Sequence, residues 1–357
     1  MKQLHMKKKT KKKCVAFSKR SRILAIAAVL LVFVLAGLWA VKQYAVNSFT
    51  KDAFTLYIRP TTTYEELLDT LRMRVDRTTF LNFRRLSRLD GYASKMKPGA
   101  YRIDSSMSAV EVYKHLVNGT QTPVRFTFNN LRTTGQLASR AADQLMMDSA
   151  SVMTLLADTA FLRELGFNAQ TLPAMFLPDT YEFYWTIEPA DFLRRMKREY
   201  DRFWTPERTA RAAALGLTPV ELSTVASIAE EETNNGAERG VVGRLYINRL
   251  QKGMPLQADP TVKFALGDFS IRRIGGDMLK VDSPYNTYRY AGLPPGPIRI
   301  PSKQTMITIL DSEPHTYIYM CAKEDFSGLH NFATSFAQHQ QNAARYRRAL
   351  DRRGITQ

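Results

Sequence analysis

A chain of 357 residues with 45% hydrophobic content has room for two folded domains and a sizeable core. Its formal net charge of +18 favours anionic partners without choosing among nucleic acid, phospholipid headgroups and acidic wall polymers. Two cysteines, Cys14 and Cys321, exclude a scaffold built on disulfides, so the fold must rest on its core.

Ten of the positive charges, from Lys2 to Arg22, come with no acid among them and define a basic segment over residues 1–22. Residues 23–41 then run without a charge. At ~1.5 Å per residue, a helix of that length nearly matches a ~30 Å hydrocarbon core. A cleaved signal peptide would show a shorter apolar run of about 7–15 residues and a small-x-small cleavage site. This run is longer and ends in Trp39-Ala40-Val41-Lys42, so a retained transmembrane helix over 23–41 is predicted. Only Lys42 and Lys51 follow it closely, which places the N-terminus in the cytoplasm and everything after Tyr44 on the outer face of the cell membrane. Trp39 and Tyr44 fall where an outer aromatic belt belongs. This topology separates Cys14 from Cys321 and removes nucleic acid from the expected partners.

Residues 42–54 read as a polar tether. The stretch 54–59 alternates like a strand, Thr63 and Glu66 form a capping box opening a helix through Leu71, and 99–103 is a second strand. Ser108 and Glu111 cap a further helix, whose Val112, Tyr113, Leu116 and Val117 face inward before Gly119 stops it. The order strand, two helices, strand, helix describes a small α+β module over 55–120. From 121 to 351, strands at 124–128 and 316–322 are interspersed with helices near 135–148, 151–164, 189–203, 218–233, 238–251 and 334–350. There is no βαβ rhythm, so this larger domain also reads as α+β. The Pro- and Gly-rich stretch 253–301 is long for a loop in a compact domain, and its aromatics mark it as functional rather than disordered. The basic runs Arg194-Arg195 with Lys197-Arg198, and Arg345 with Arg347-Arg348, read as solvated helix faces or as faces turned to anionic headgroups.

Thr218-Pro219-Val220-Glu221 marks a sharp helix start: an N-cap, a proline at the first helical position and a capping-box acid. Leu222, Val225, Ala226 and Ala229 form an apolar stripe, with Glu230 on one flank, Glu232 on the other and Glu231 facing away. Three consecutive glutamates at a helix C-terminus oppose the macrodipole and repel one another. The same effects, with partial burial beside the stripe, raise a flanking carboxyl group toward the range of a general acid. The residues alone leave open whether this is a working acid or a solvated acidic helix end.

Ala226-Ser227-Ile228-Ala229-Glu230-Glu231-Glu232-Thr233 resembles the Ala-Ser-Ile-x-Glu-x-Glu-Thr signature of the YceG-like endolytic murein transglycosylases. Phe176-Leu177-Pro178-Asp179-Thr180-Tyr181 precedes it, and Ile247-Asn248-Arg249-Leu250, Gly253-Met254-Pro255-Leu256-Gln257-Ala258-Asp259-Pro260-Thr261 and Tyr285-Asn286-Thr287-Tyr288 follow in the family's order. Gly292-Leu293-Pro294-Pro295-Gly296-Pro297-Ile298, His330 with Phe332, and His339 complete the set. The resemblance implies a lytic transglycosylase that cuts MurNAc-GlcNAc bonds in nascent peptidoglycan, leaves 1,6-anhydroMurNAc ends and limits strand length. It needs no cofactor, has wall synthases as working neighbours, and has Glu230 matching the family's catalytic glutamate. It also implies that the module at 55–120 is LysM-like, with Lys97-Pro98-Gly99-Ala100-Tyr101 as its Gly-x-Tyr strand, although Thr61 to Thr63 replaces the usual glycine before the first helix. Pro173-Ala174 replaces the family's Glu-Gly upstream of Pro178, so any role of that glutamate is lost here.

A hydrolytic glycosidase needs two carboxyl groups. Attack by the sugar's own C6 hydroxyl needs one, acting as acid and then base, and Glu230 is the residue expected to do so. Gln257, Asp259, Tyr285, Asn286 and Tyr288 are expected to line the sugar groove, with scaffolding as the alternative for each, since Asp259-Pro260 and Ser283-Pro284 read as turns. His315, His330 and His339 lack metal-ligand spacing, so no metal is expected, and His339 is assigned to packing of the last helix or to a hydrogen bond near the groove. The absence of a Gly-rich phosphate cradle argues against a pyridoxal-phosphate lyase. A non-catalytic peptidoglycan-binding scaffold is the remaining alternative.

Overall fold

The computed structural model describes residues 19–271 and 273–354. The basic residues ahead of Lys19, and Cys14, lie outside these. Helix α1 (Lys19–Val41) buries none of its residues. With the π-turn Lys42–Val46 it makes a 28-residue segment whose mean hydropathy reaches 2.8, long and apolar enough to cross a membrane. A helix apolar on every side and packed against no protein is matched by lipid as its solvent.

The segment after α1 is not the loose tether its polarity implies. Asn47 N–H donates back to the Lys42 carbonyl at 2.8 Å, Ser48 bridges to Ser108, and Phe49 is 1% exposed with its ring edge-on to Phe83 at 5.8 Å. The physical reason is Phe49, a large apolar side chain that seals one end of the module's core.

The chain divides after Thr122 into two compact units. In the first, strand β1 (Phe54–Ile58) leads through α2 (Tyr64–Arg72) and α3 (Arg77–Leu89) to β2 (Gly99–Ile103), which returns antiparallel with Phe54 opposite Ile103; α4 (Ala109–Asn118) follows. Both capping boxes form, and Gly119 ends α4 at φ 70°, where a side chain would be strained. Leu56, Leu67, Leu71, Phe83, Tyr101 and Leu116 make the core.

In the second unit β3 (Val124–Phe128) pairs antiparallel with β4 (Asp179–Phe183), and β5 (Tyr319–Ala322) with β6 (His330–Ala333). The rest is helical: α5 (Thr134–Gln144), α6 (Ser149–Ala157), α7 (Thr159–Glu164), α8 (Pro189–Phe203), α9 (Pro206–Ala214), α10 (Pro219–Glu232), α11 (Arg239–Gln251), α12 (Asp259–Leu266), α13 (Lys303–Leu310) and α14 (Phe336–Arg352). The α+β reading therefore holds. The helix expected over 151–164 breaks in two because the Asp158 carboxylate accepts from the Ala160 and Phe161 N–H groups and starts α7 afresh. Asp259-Pro260 opens α12 rather than a turn, since proline in a first helical turn sacrifices no hydrogen bond.

Helix α10 sits at the centre of this unit. Every residue from Leu222 to Glu230 is buried, so the single stripe read from the sequence is in fact a helix packed on all sides. Its buried hydroxyls are satisfied locally: Ser223 and Thr224 donate to the Pro219 and Val220 carbonyls at 2.9 Å each, and Ser227 Oγ accepts from Ile298 N–H at 3.0 Å. Beside it α11 meets α13 closely at Gly243, where a Cβ would fall 2.5 Å from the Ile309 side chain. These contacts hold the C-terminal turn of α10 between α11, α12 and α13.

Candidate functional site

The three glutamates ending α10 enter three different environments. Glu230 is 5% exposed and turns to the start of α13, where its Oε1 accepts from Ser302 N–H at 2.9 Å and from the Ser302 hydroxyl. Arg299 Nε lies 3.3 Å from its Oε2 and Arg239 Nη1 3.8 Å from its Oε1. An anion at a helix N-terminus, flanked by two guanidinium groups, is a tightly held joint. Glu231 does not face away into solvent: Arg132 Nη2 reaches both its oxygens at 2.8 and 2.7 Å, and Arg299 Nη1 donates at 2.8 Å. Arg299 also donates to Asn130. The charge conflict read from the sequence is thus resolved for two of the three acids by arginines distant in the chain.

Among the described residues Glu232 has no arginine partner. It lies on a cleft of about 350 Å³ together with Tyr246, Gln257, Asp259 and Tyr288. Its Oε1 accepts from the Tyr246 hydroxyl at 2.7 Å. Burial pushes its carboxyl up to about 7, against the Tyr246 hydrogen bond, which lowers it; the Asp259 charge raises it, Lys263 lowers it and Glu231 adds a final increment upward. A carboxyl group there carries a proton near neutral pH and can release it in an open, sugar-sized cleft.

Of the groove residues expected from the sequence, three are brought together at Glu232. Tyr288 donates to Asp259 Oδ1 at 2.6 Å, and Gln257 Oε1 accepts from Arg249 Nη2 at 3.0 Å. Gln257 holds a left-handed backbone at φ 50°, unusual for a residue with a side chain, and its N–H donates to the Thr287 carbonyl at 3.1 Å. The other two do not reach the cleft. Asn286 is fully buried and donates to the Leu279 and Val281 carbonyls at 2.9 and 2.8 Å, so it ties the loop together. Tyr285 packs on Phe264 with ring centroids 4.6 Å apart. Both placements have one cause: an amide and a ring in a long irregular segment are needed to satisfy and cover its own backbone.

Glu230, the expected acid, does not line this cleft. Tyr246, Arg249, Tyr319 and Phe336 line it and were not anticipated. Tyr319 stacks on His339 at 5.3 Å and 21°, and Phe336, 57% exposed, stands 5.9 Å from Tyr319. His339 therefore belongs to the cleft wall, with burial pushing its pKa down. His315 accepts from Tyr317 N–H and faces the Val241 carbonyl, while His330 pairs with Glu238 at 2.9 Å. Asp179, the first residue of β4, pairs with Lys303 at the start of α13, and Ala174, where the family has glycine, is fully buried in a 3₁₀ turn.

Fold and site define an α+β protein whose second unit carries an acid-bearing cleft. The profile of the YceG-like family matches residues 56–345, and the chain belongs to that family. It is 28% identical over 272 residues to the endolytic murein transglycosylase of Bacillus subtilis, covering 71% of this chain and 74% of that protein. It is 25% identical over 282 residues to the protein of the same name from Streptococcus pneumoniae D39, 70% of this chain but 51% of that relative, so it spans about half of the streptococcal protein. The crystal structure of a YceG-like protein of Listeria monocytogenes shares the fold, with a TM-score of 0.54 at 23% identity over 82% of this chain and 99% of that one.

Proposed function

We propose that this chain is a peptidoglycan lytic transglycosylase in which Glu232, rather than Glu230, protonates the glycosidic oxygen between MurNAc and GlcNAc. The same carboxylate then takes the proton of the MurNAc C6 hydroxyl as that oxygen closes on C1, leaving a 1,6-anhydroMurNAc end. The observation that carries the reading is the Glu232 carboxyl group, raised to about 7 and lining an open cleft. One group suffices because the attacking hydroxyl belongs to the substrate and is already positioned. The matched relatives carry the name of this activity. Gln257, Asp259 and Tyr288 offer hydroxyl-binding groups, and the Tyr319, His339 and Phe336 wall offers apolar faces for sugar rings.

In this reading α1 anchors the enzyme in the cell membrane with its N-terminus in the cytoplasm, and the cleft works on nascent strands outside, beside wall synthases. The first unit, strand-helix-helix-strand-helix, acts as a LysM-like glycan-binding module. The test is product analysis on uncrosslinked glycan strands. Glu232→Gln is expected to fold and release nothing, while folded Glu230→Gln still releases anhydro-ended fragments. Reducing ends from the wild type would make the protein a hydrolase, and activity in Glu232→Gln would remove the assigned acid. Glycan binding without any cleavage by the wild type would leave only a scaffold.

A further inference from the structure

The basic helix runs that stand out in the sequence are mostly neutralised by their own neighbours. On α8, Arg194 pairs with Glu164 at 3.2 Å, Arg195 with Glu199 at 2.7 Å and Lys197 with Asp201 at 2.7 Å. Helix α3 differs. It carries Arg77, Arg84, Arg85 and Arg88 with no acid in its 13 residues, and Arg72 and Arg74 stand just ahead of it. The ion pairs of this unit, Lys95–Asp90 and Arg102–Asp104, involve none of these six, so among the described residues none of the six is held in an ion pair. The inner face of α3 is fixed by buried Asn82, Phe83 and Ser87, which turns Arg77, Arg85 and Arg88 outward. Two large apolar side chains flank this stripe in the open, Met73 at 80% and Leu89 at 87% exposure.

The position of α3 relative to α1 gives this pattern a meaning. The π-turn follows α1 without a break, and Phe49, eight residues beyond Val41, is already in the module's core. Gln43 and Asn47 line one cleft with Arg74 and Thr78 at the start of α3. The headgroup layer is only about 5–8 Å deep on each side of the hydrocarbon. A helix that starts beside residue 43 therefore starts at that layer if α1 spans the bilayer.

We propose that the outer face of α3 is a membrane-surface contact, with its arginines on anionic phospholipid headgroups and Met73 and Leu89 dipping among them. Outward arginines held in no ion pair, with exposed apolar side chains beside them, are what an interfacial surface requires. The contact holds the first unit flat on the bilayer and fixes its height above it. The proposal rests on α1 being the membrane span.

The experiment uses the full chain, with Cys14 and Cys321 changed to serine and one environment-sensitive label placed by Met73→Cys, Leu89→Cys or Leu31→Cys. Each is reconstituted in vesicles of phosphatidylcholine alone or mixed with phosphatidylglycerol, both doped with headgroup- or acyl-chain-bound quenchers. Labels at 73 and 89 are expected to be quenched by the headgroup probe in the anionic vesicles, and several-fold less in phosphatidylcholine or at high salt. Each arginine neutralised, as in Arg85→Gln or Arg88→Gln, should lower surface occupancy about fivefold. Labels at 73 and 89 that ignore lipid charge while the label at 31 is quenched from the acyl region overturn the surface contact alone. A label at 31 that escapes acyl quenching overturns the span itself. Protection of 73 and 89 that appears only on adding purified sacculi assigns the face to a wall polymer and also overturns the proposal.

Discussion

Glu230 and Glu232 stand two residues apart on the last turn of one helix and lead opposite lives. Glu230 meets Ser302, Arg299 and Arg239 and becomes a joint between α10, α11 and α13. Glu232 meets a tyrosine hydroxyl and a neighbouring carboxylate on an open cleft, the setting from which we propose it as the acid. Helical geometry puts such residues about 200° apart around the axis, so each samples a different wall of the protein. Chemical identity at the level of sequence therefore says little about role; the charge and solvation of the facing wall decide it.

The largest effect expected from breaking this contrast is on turnover. Glu232→Gln removes the transferable proton while preserving shape, and a positioned general acid contributes on the order of 10²–10⁴ in rate. Release of anhydro-ended fragments should fall by at least that factor, with circular dichroism unchanged. A fall of this size in Glu230→Gln, with Glu232→Gln active, would exchange the two roles.

Glu230→Ala should instead appear in stability. It strips the anion from the start of α13 and leaves Arg239 and part of Arg299 uncompensated in a buried setting, a change that costs about 3 kcal/mol or more. For a unit of this size each kcal/mol moves the unfolding midpoint by roughly 2–4 °C. A drop of about 6–12 °C is expected by calorimetry. Glu230→Gln, which retains an acceptor for Ser302, should lose less. Equal losses in the two variants would mean that the charge, not the hydrogen bonds, is what the joint needs.

Stability against pH sharpens the contrast further. The folded Glu232 carboxyl titrates at about 7 against an ordinary 4.5, so between those values the folded state holds the extra proton. Its contribution is fully present below about 4.5 and is lost as pH rises through about 7. Glu232→Gln cannot deprotonate, so it should gain on the wild type between pH 5 and 8. The gain is bounded at about 3 kcal/mol and shrinks as water in the cleft solvates the carboxylate. A difference in unfolding midpoint that stays flat over that range would show that Glu232 is not desolvated.

Sequence pattern reached far in some places and stopped short in others, for identifiable reasons. Capping boxes at Thr63, Ser108 and Thr218 are local, and each starts its helix where the spacing puts it. The central role of α10 was half visible: its apolar residues could be read, but not that Ser223, Thr224 and Ser227 would be buried with them, because their hydroxyls bond within the helix or to Ile298. The different surroundings of the three glutamates were not legible at all, since Arg132, which meets Glu231, and Arg299, which meets Glu230 and Glu231, arrive from about a hundred residues upstream and seventy downstream. In the stretch 253–301, Gln257, Asp259 and Tyr288 could not be separated from Tyr285 and Asn286 by residue type. Their backbone hydrogen bonds and ring contacts separate them.

The smallest test concerns Tyr246, the one group that tempers Glu232 by direct contact. Its hydroxyl donates to Oε1 at 2.7 Å, and that bond favours the charged carboxylate, so it opposes the effect of burial. Tyr246→Phe keeps the ring in the core and deletes only the donor. Such a bond contributes about 1 kcal/mol, equivalent to somewhat under one pH unit. The wild-type rate should decline as pH rises through about 7, where the acid loses its proton. In Tyr246→Phe that descending limb should move alkaline by about half a unit or more, with the rate at pH 6 nearly unchanged. A purely structural tyrosine would lower the rate equally at every pH and leave the limb where it was. Repeating the measurement in Glu230→Gln, where the limb should not move, compares the two carboxylates by a readout that folding losses alone do not shift.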